Sequence, residues 1–304
     1  MKRILKNKVI SFFLAALALF GLTRVYYKLT DDFRLSNITY EIAHHKEWEI
    51  PVLSNEKQKE IQAILNQPFT YLGKGAQSYV FSSKDNQYVI KFFKFKHLKP
   101  SFIVDALPAV FPFADYKAKE IARKDRKLNS AFNGYRLAYE VHRQETGLIF
   151  IHLNKTDHLL NQTVKIIDKI GRIYEIDLDS TVFLLQKKGV TLRTAFHQLL
   201  KNNNLFLFKE RIGQVFSLYL SEYKKGIYDH DHGVMNNTGF IGNQPIHLDV
   251  GKLLKEEKMK IPTVYSQDLE IIYKKIDLWI QKHYPDQHEN LAQEIKEAYL
   301  KALL

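Results

Sequence analysis

Asp231, Asn236 and Asp249 are the residues of this chain whose types and order could do chemistry together. Asn236 lies five positions after Asp231, Asp249 lies thirteen after Asn236, and Gly251 follows two places later. Carboxylate and carboxamide oxygens are the hard ligands that a small divalent cation takes, and a carboxylate can also accept a proton. The residues between the last two can fold as a hairpin. Phe240 and Ile241 would form one strand, Gly242-Asn243-Gln244-Pro245 the turn, and Ile246 to Leu248 the return. Such a hairpin would carry Asp249 back to the loop that holds the other two.

Two stretches upstream could serve the same chemistry. Residues 72–81 read Leu-Gly-Lys-Gly-Ala-Gln-Ser-Tyr-Val-Phe and join two strand-like runs. Glycine leaves room for backbone amides to approach a triphosphate, although a tight β-turn uses the same letters. Lys91 follows in the strand-like run Tyr88 to Phe93. A lysine there either meets phosphate or guards the edge of a sheet.

Glycine-rich turn, lysine strand, Asp-x4-Asn and Asp-x-Gly, in that order over residues 71–251, resemble the protein-kinase-like superfamily. This superfamily includes aminoglycoside, choline and lipopolysaccharide kinases as well as protein kinases. The resemblance implies an α+β, two-lobed protein-kinase-like fold. A small antiparallel β-rich lobe would span 68–186 and a helical lobe 187–304. It also implies ATP and Mg²⁺. Asp231 would be the base for the acceptor hydroxyl, and Asn236 and Asp249 would be the metal ligands. Gly73, Gly75, Ser78 and Lys91 would hold the triphosphate, with Ser78 standing where the third glycine is usual. Gln186 would lie at the hinge that meets adenine. Glu140 would pair with Lys91, with Glu120 as the other candidate. Three departures stand out. Asp229-His230 replaces His-Arg, Gly233 replaces the lysine of the catalytic loop, and Val250 replaces the phenylalanine of Asp-Phe-Gly.

The elements that must position these residues are legible in outline. Ser54 caps a helix over Asn55–Leu65, and Asn37–Ile42 alternates like a strand, both within an extension at 29–67. Ala114–Glu145 reads as helix with a break at Asn129–Gly134, and Leu159–Asp179 reads as a strand pair turning at Gly171. Thr181–Leu185 is a buried strand. Thr191 caps a helix over 192–201, a second helix covers Phe206–Lys225, and two amphipathic helices fill 268–283 and 288–304.

Residues 1–28 form a signal or membrane-anchor segment. Lys2, Arg3, Lys6 and Lys8 precede an uncharged run from Val9 to Leu22, with Arg24 and Lys28 after it. No Ala-x-Ala cleavage site follows, which favours an uncleaved anchor. The flanking charges place the N-terminus in the cytoplasm and the body outside it, in conflict with a simple ATP-using enzyme. The expected location is therefore membrane-associated or exported, with the side left open.

The 304 residues carry a net charge of +12, which suits phosphates or an anionic membrane surface. No recognition helix, zinc-finger spacing or aromatic-basic motif accompanies that charge, so no nucleic-acid partner is expected. The absence of cysteine excludes disulfides and thiolate metal sites. The expected partners are a nucleotide, a hydroxyl-bearing small-molecule or lipid acceptor and a membrane surface. Two other readings are compatible with the residues. The chain could be a membrane-tethered pseudokinase acting as a scaffold, or Asp229, His230, Asp231, His232 and His247 could hold a transition metal.

Overall fold

The computed structural model describes residues 2–304, with the backbone alone for 2–9 and 11. Its first element, α1 (Lys2–Thr30), is one unbroken helix. The apolar run extends past Leu22 through Val25, Tyr26 and Tyr27, so that Phe12–Thr30 is long and apolar enough to cross a membrane. Membrane anchors and signal sequences share this length and composition. Phe12, Phe13, Leu17, Leu19 and Phe20 are all exposed along it.

The exit of α1 is pinned to the rest of the chain. Phe33 is fully buried and meets the rings of Tyr79, Phe81 and Tyr174 edge-on at 5.2–5.6 Å. The Tyr79 hydroxyl donates to the Asp32 carbonyl at 2.7 Å, and Asp31 pairs with Lys74 and Lys169 at 3.1 and 3.0 Å. No strand forms at 37–42. A single helical turn at Leu35–Ile38 buries Ile38 instead, and the residues beyond it have no ladder partner. Helix α2 (Asn55–Leu65) has the expected bounds, with the Ser54 hydroxyl accepting from the Lys57 amide at 3.2 Å. It buries Ile61, Ile64 and Leu65 against the sheet.

That sheet has seven strands: β1 (Phe69–Lys74), β2 (Ser78–Ser83), β3 (Tyr88–Phe93), β4 (Leu148–His152), β5 (Thr163–Ile167), β6 (Ile173–Asp177) and β7 (Phe183–Lys187). Their order is β4-β7-β3-β2-β1-β5-β6. Every neighbouring pair is antiparallel except β1 and β5, which run parallel, a departure from the all-antiparallel expectation. Gly171 turns β5 into β6 at φ +86°, as its spacing predicted. The register of β1 against β2 shifts between Tyr71 and Gly73, which bends the strand as it enters the glycine-rich loop. β3 is flanked by β2 and β7, so Lys91 does not guard an edge.

Helix α3 (Ala114–Val141) follows β3 through a connector and runs without the break expected at 129–134. One helical glycine costs about 1 kcal/mol, which burial of Ala131, Phe132, Tyr135 and Ala138 outweighs. Gly134 has a steric reason to be there. A Cβ at that position would sit 2.6 Å from the Val250 carbonyl oxygen and 3.0 Å from the Gly251 carbonyl carbon.

After β7 the chain becomes mainly helical. β8 (Val190–Thr191) leads into α4 (Leu192–Lys201), where the Thr191 hydroxyl accepts from the Thr194 amide at 3.3 Å. Helix α5 (Leu205–Lys224) buries Ile212, Val215, Phe216 and Tyr219. β9 (Ile227–Asp229), the hairpin β10 (Thr238–Ile241) and β11 (Gln244–His247), and β12 (Leu253–Lys255) follow, then α6 (Pro262–His283) and α7 (His288–Ala302). The hairpin is tighter than expected. Gly242 and Asn243 alone form the turn, and Pro245 pairs with Phe240. β11 is an edge strand, where the missing proline N–H is tolerated. The molecule is thus a mixed α/β structure, with a curled sheet in its first part and helices in its last.

Two glycine substitutions should act in opposite directions in thermal denaturation of the detergent-solubilised chain. Gly134→Ala should destabilise by about 1–3 kcal/mol, because backbone atoms block the added methyl. Gly213→Ala, in α5 with open space around it, should stabilise by about 0.5–1 kcal/mol.

Candidate functional site

Between the sheet and the helical part lies a cleft of about 500 Å³, and the glycine-rich loop forms its roof. Gly73, Gly75, Ser78, Lys91, Gln186, Asp231, Asn236 and Asp249 all line it. Glu140 and the other candidate, Glu120, are absent from this lining. The loop is braced locally: the Gly75 amide donates to the Ser78 carbonyl at 2.9 Å, and Lys94 Nζ donates to the Gly75 carbonyl at 2.5 Å.

Lys91 is buried in the middle of β3, with Nζ donating to the Leu248 carbonyl oxygen at 2.5 Å. Burial pushes its pKa down, and the nearby Asp249 carboxylate opposes that shift. The expected glutamate partner is not there. Glu140 is an exposed residue that pairs with Arg136 at 3.3 Å, and Glu120 pairs with Arg123 at 2.6 Å. From helix α3, Tyr135 reaches the edge of the cleft instead. The Tyr135 hydroxyl donates to Asp249 Oδ1 at 2.8 Å, and burial, then Asp249, raises its pKa well above the ordinary value.

Gln186 enters the cleft from β7. Its amide nitrogen donates to the Thr146 carbonyl at 2.6 Å, whereas its Oε1 is buried with no protein partner. β7 ends at Lys187, directly beyond Gln186, as the exit from the sheet.

The loop of Asp231 is fixed from below. Glu222 on α5 accepts from the Asp229 amide at 2.5 Å, and Asp229 Oδ1 accepts from the Asp231 amide at 2.8 Å. Burial, with Glu222 and Asp249 as like charges, raises the Asp229 pKa to about 8. His232 meets Asp268 at 2.6 Å, and Lys275 donates to the His232 carbonyl at 2.6 Å. Asp231 itself stays partly exposed beside Lys252, whose Nζ lies 3.1 Å away. Asn236 sits on a single helical turn, Val234–Asn237, and the hairpin then returns the chain to Asp249. The Asn237 carbonyl accepts from the Leu248 amide at 2.6 Å, which locks the two ends of the hairpin together.

Asp249 Oδ1 is occupied by Tyr135 and by the Gly251 amide at 3.2 Å. Among the described residues, Asp249 Oδ2 and the Asn236 side chain carry no protein hydrogen bond. An oxygen-only donor set with free ligand atoms fits a hard divalent cation.

The transition-metal grouping is not assembled. His230 is exposed beside Tyr228, and His232 faces Asp268. His247 faces the buried Glu222 at 2.9 Å. His247 and Glu222 lie instead with His142, which burial and the neighbouring His247 push down to about 2. Sequence reasoning missed Tyr135, Glu222, Asn237 and Lys252. Only Asn237, adjacent to Asn236, carried a recognisable signal.

No family model and no curated protein matches the chain. Among solved structures it is similar to a 2.2 Å crystal structure of WbdD, with 12% identity and a TM-score of 0.31 over 73% of this chain and 43% of that one. It is also similar to a medium-resolution structure of the bifunctional kinase-methyltransferase WbdD, with 12% identity and a TM-score of 0.36 over 76% of this chain and 46% of that one. The chain spans less than half the length of these structures. At that distance, residue roles rest on the geometry of the cleft.

Asp229 and His142 should together shape the pH dependence of stability. Between pH 3.8 and 8 the native state holds an Asp229 proton that the unfolded chain lacks, so this group makes stability fall as pH rises. His142 lacks a proton in the native state that the unfolded chain binds below 6.5, so its contribution falls as pH drops. The two oppose each other between 3.8 and 6.5, and only Asp229 acts from 6.5 to 8. Urea denaturation should show a loss of roughly 2 kcal/mol over that upper window, and Asp229→Asn should abolish the loss.

Proposed function

We propose that the chain is an ATP- and Mg²⁺-dependent phosphotransferase acting on a hydroxyl of a small molecule or lipid, in a two-lobed kinase-like fold. What carries this reading is the convergence of the glycine-rich loop, Lys91, Asp231, Asn236 and Asp249, from residues 73 to 249, on one cleft. Asp231 receives the proton of the acceptor hydroxyl as its oxygen bonds to the γ-phosphorus. The bond from that phosphorus to the bridging oxygen breaks, and ADP leaves. Lys91 and the amides around Gly73 to Gly75 orient the phosphates. Asn236 and Asp249 Oδ2 are the atoms that would hold the cation, which when bound neutralises charge on the phosphate oxygens. Tyr135 and the Gly251 amide keep the Asp249 carboxylate in place.

The short segment after Gly251 favours a small acceptor over a protein. β12 and one 3-10 turn over Glu257–Lys260 lead straight to α6, leaving little chain for a peptide platform. Helix α1 would hold the enzyme at a membrane. A second reading, a membrane-tethered nucleotide-binding scaffold, is favoured by one observation: Lys91 has no glutamate partner on α3. Nucleotide binding without turnover distinguishes the two.

The test is thermal denaturation of the full chain in neutral detergent with ATP and Mg²⁺. At 100 times its dissociation constant a ligand adds about 2.7 kcal/mol, a readily visible rise in Tm. The rise should need the metal and should vanish in Asp249→Ala and Lys91→Ala. No rise with any divalent metal would sink both nucleotide readings.

A further inference from the structure

A second and larger cavity, about 880 Å³, lies across the glycine-rich loop from the cleft. Seven cations line it (Lys74, Lys94, Lys96, Arg123, Arg126, Lys127 and Lys252), against two carboxylates, Asp31 and Asp32. Arg123, Arg126, Lys127 and Ser130 follow helical spacing, so one face of α3 forms a wall. Arg123 is paired with Glu120, Lys74 with Asp31, Lys96 with Asp32 and Lys252 with Asp231. Among the described residues, Arg126 and Lys127 have neither an ion pair nor a side-chain hydrogen bond. Lys94 is buried over the Tyr79 ring, and burial with repulsion from Lys74 pushes it down to about 8. His97 is lowered by burial and four surrounding lysines. A dianion placed here would relieve this repulsion.

The cavity has two neighbours that bear on its ligand. Lys74, Gly75 and Ala76 line both it and the nucleotide cleft, and Lys252 links it to Asp231. Asp31 and Asp32 are the first residues after α1, so the cavity begins where the apolar helix ends. The chain leaving the cavity at Leu98 carries exposed Phe102, Ile103, Val110 and Phe111. Exposed apolar side chains beside a cationic pocket suit the headgroup region of a bilayer.

We infer that this cavity is a binding site for a phosphate monoester, and that the acceptor carries that phosphate beside the hydroxyl presented to Asp231. The acceptor role rests on the phosphotransferase reading above; the phosphate site does not. Arg126 and Lys127 are the free charges that receive the phosphate, and Arg supplies a planar fork matched to its oxygens. The phosphate can belong to a lipid headgroup or to a soluble phosphorylated molecule.

The full chain in neutral detergent is titrated calorimetrically with dihexanoyl phosphatidic acid, dihexanoyl phosphatidylcholine and inorganic phosphate. Phosphatidic acid should bind at least tenfold more tightly than phosphatidylcholine. Arg126→Gln/Lys127→Gln should weaken it at least fivefold, whereas Lys165→Gln/Lys201→Gln, with the same change in charge away from the cavity, should weaken it less than twofold. Inorganic phosphate binding as tightly as phosphatidic acid would identify a soluble source, and weaker binding would identify the lipid; both support the site. Equal binding of the two lipids, or equal losses in the two double variants, would overturn it. ATP binding is measured on the same preparation. A chain that takes phosphatidic acid but not ATP sinks the phosphotransferase reading and leaves the phosphate site standing, and the opposite result does the reverse.

Discussion

A buried ammonium group is the constraint on which the centre of this structure depends. Lys91 occupies the middle of a central strand, and taking its charge out of water is costly unless the protein supplies compensation. The direct partner is a backbone carbonyl, that of Leu248, with the Asp249 carboxylate acting across a longer distance. Both come from the far side of the cleft, so the sheet and the β10–β11 hairpin must close on each other for the lysine to be tolerated. Tyr135 and Gly134 make the same closure from α3, one by bonding Asp249 and the other by leaving room for the Val250 carbonyl. The strand, the hairpin and the helix therefore meet at one point. A cation held there with no glutamate beside it is poised for an anionic ligand.

The loop of Asp231 is braced by Glu222 and Asp229. The Asp229 amide donates to the Glu222 carboxylate, and the Asp229 carboxyl accepts from the Asp231 amide. Burial is the main reason Asp229 keeps its proton into the neutral range, and the neighbouring Glu222 and Asp249 carboxylates add to it. The protonated form bonds without adding charge beneath the cleft. His247, at the end of β11, meets Glu222 from the other side and links the hairpin to the same network. Glu222 thus supports both the loop of Asp231 and the end of the hairpin.

Much of the scaffold was legible because local signals and tertiary needs agreed. Ser54 and Thr191 cap the helices their spacing implied, and Gly171 takes the left-handed turn between β5 and β6. The failures share a cause, in that long-range packing decided against local pattern. The alternation at 37–42 had no strand to pair with, whereas burial of Ile38 had a sheet to fill. Gly134 reads as a break locally and proves to be a close helix contact, visible only once Val250 is placed beside it. Glu140 failed as a partner for Lys91 because the periodicity of α3 does not reveal which face turns to the cleft. Burial of Phe132, Tyr135 and Tyr139 selects that face, and it carries tyrosine. Cleft residues with a functional type and a characteristic spacing, such as Asp231, Asn236 and Asp249, were readable. Those defined only by what they touch, such as Tyr135 and Glu222, were not.

The position of α1 ties the apolar helix to the cleft. A helix joined to the body through a loose linker would leave the cleft free to face any direction. Here Asp31 lies between Lys74 and Lys169, Asp32 accepts from Tyr79, and Phe33 is enclosed by three aromatic rings within a few residues of the helix end. Lys74 also belongs to the glycine-rich loop, so the same short segment fixes the apolar helix and the roof of the cleft. Surface ion pairs of this kind contribute little singly. The buried ring of Phe33 supplies the larger share of the energy and the pairs supply the direction. With cations gathered where α1 ends, the excess of +12 is partly concentrated at one opening beside Asp231. Solubility alone needs no such arrangement, because a dispersed charge serves it equally well. Gathered at one opening beside Asp231, the same charge makes a local positive field that a dispersed arrangement would not.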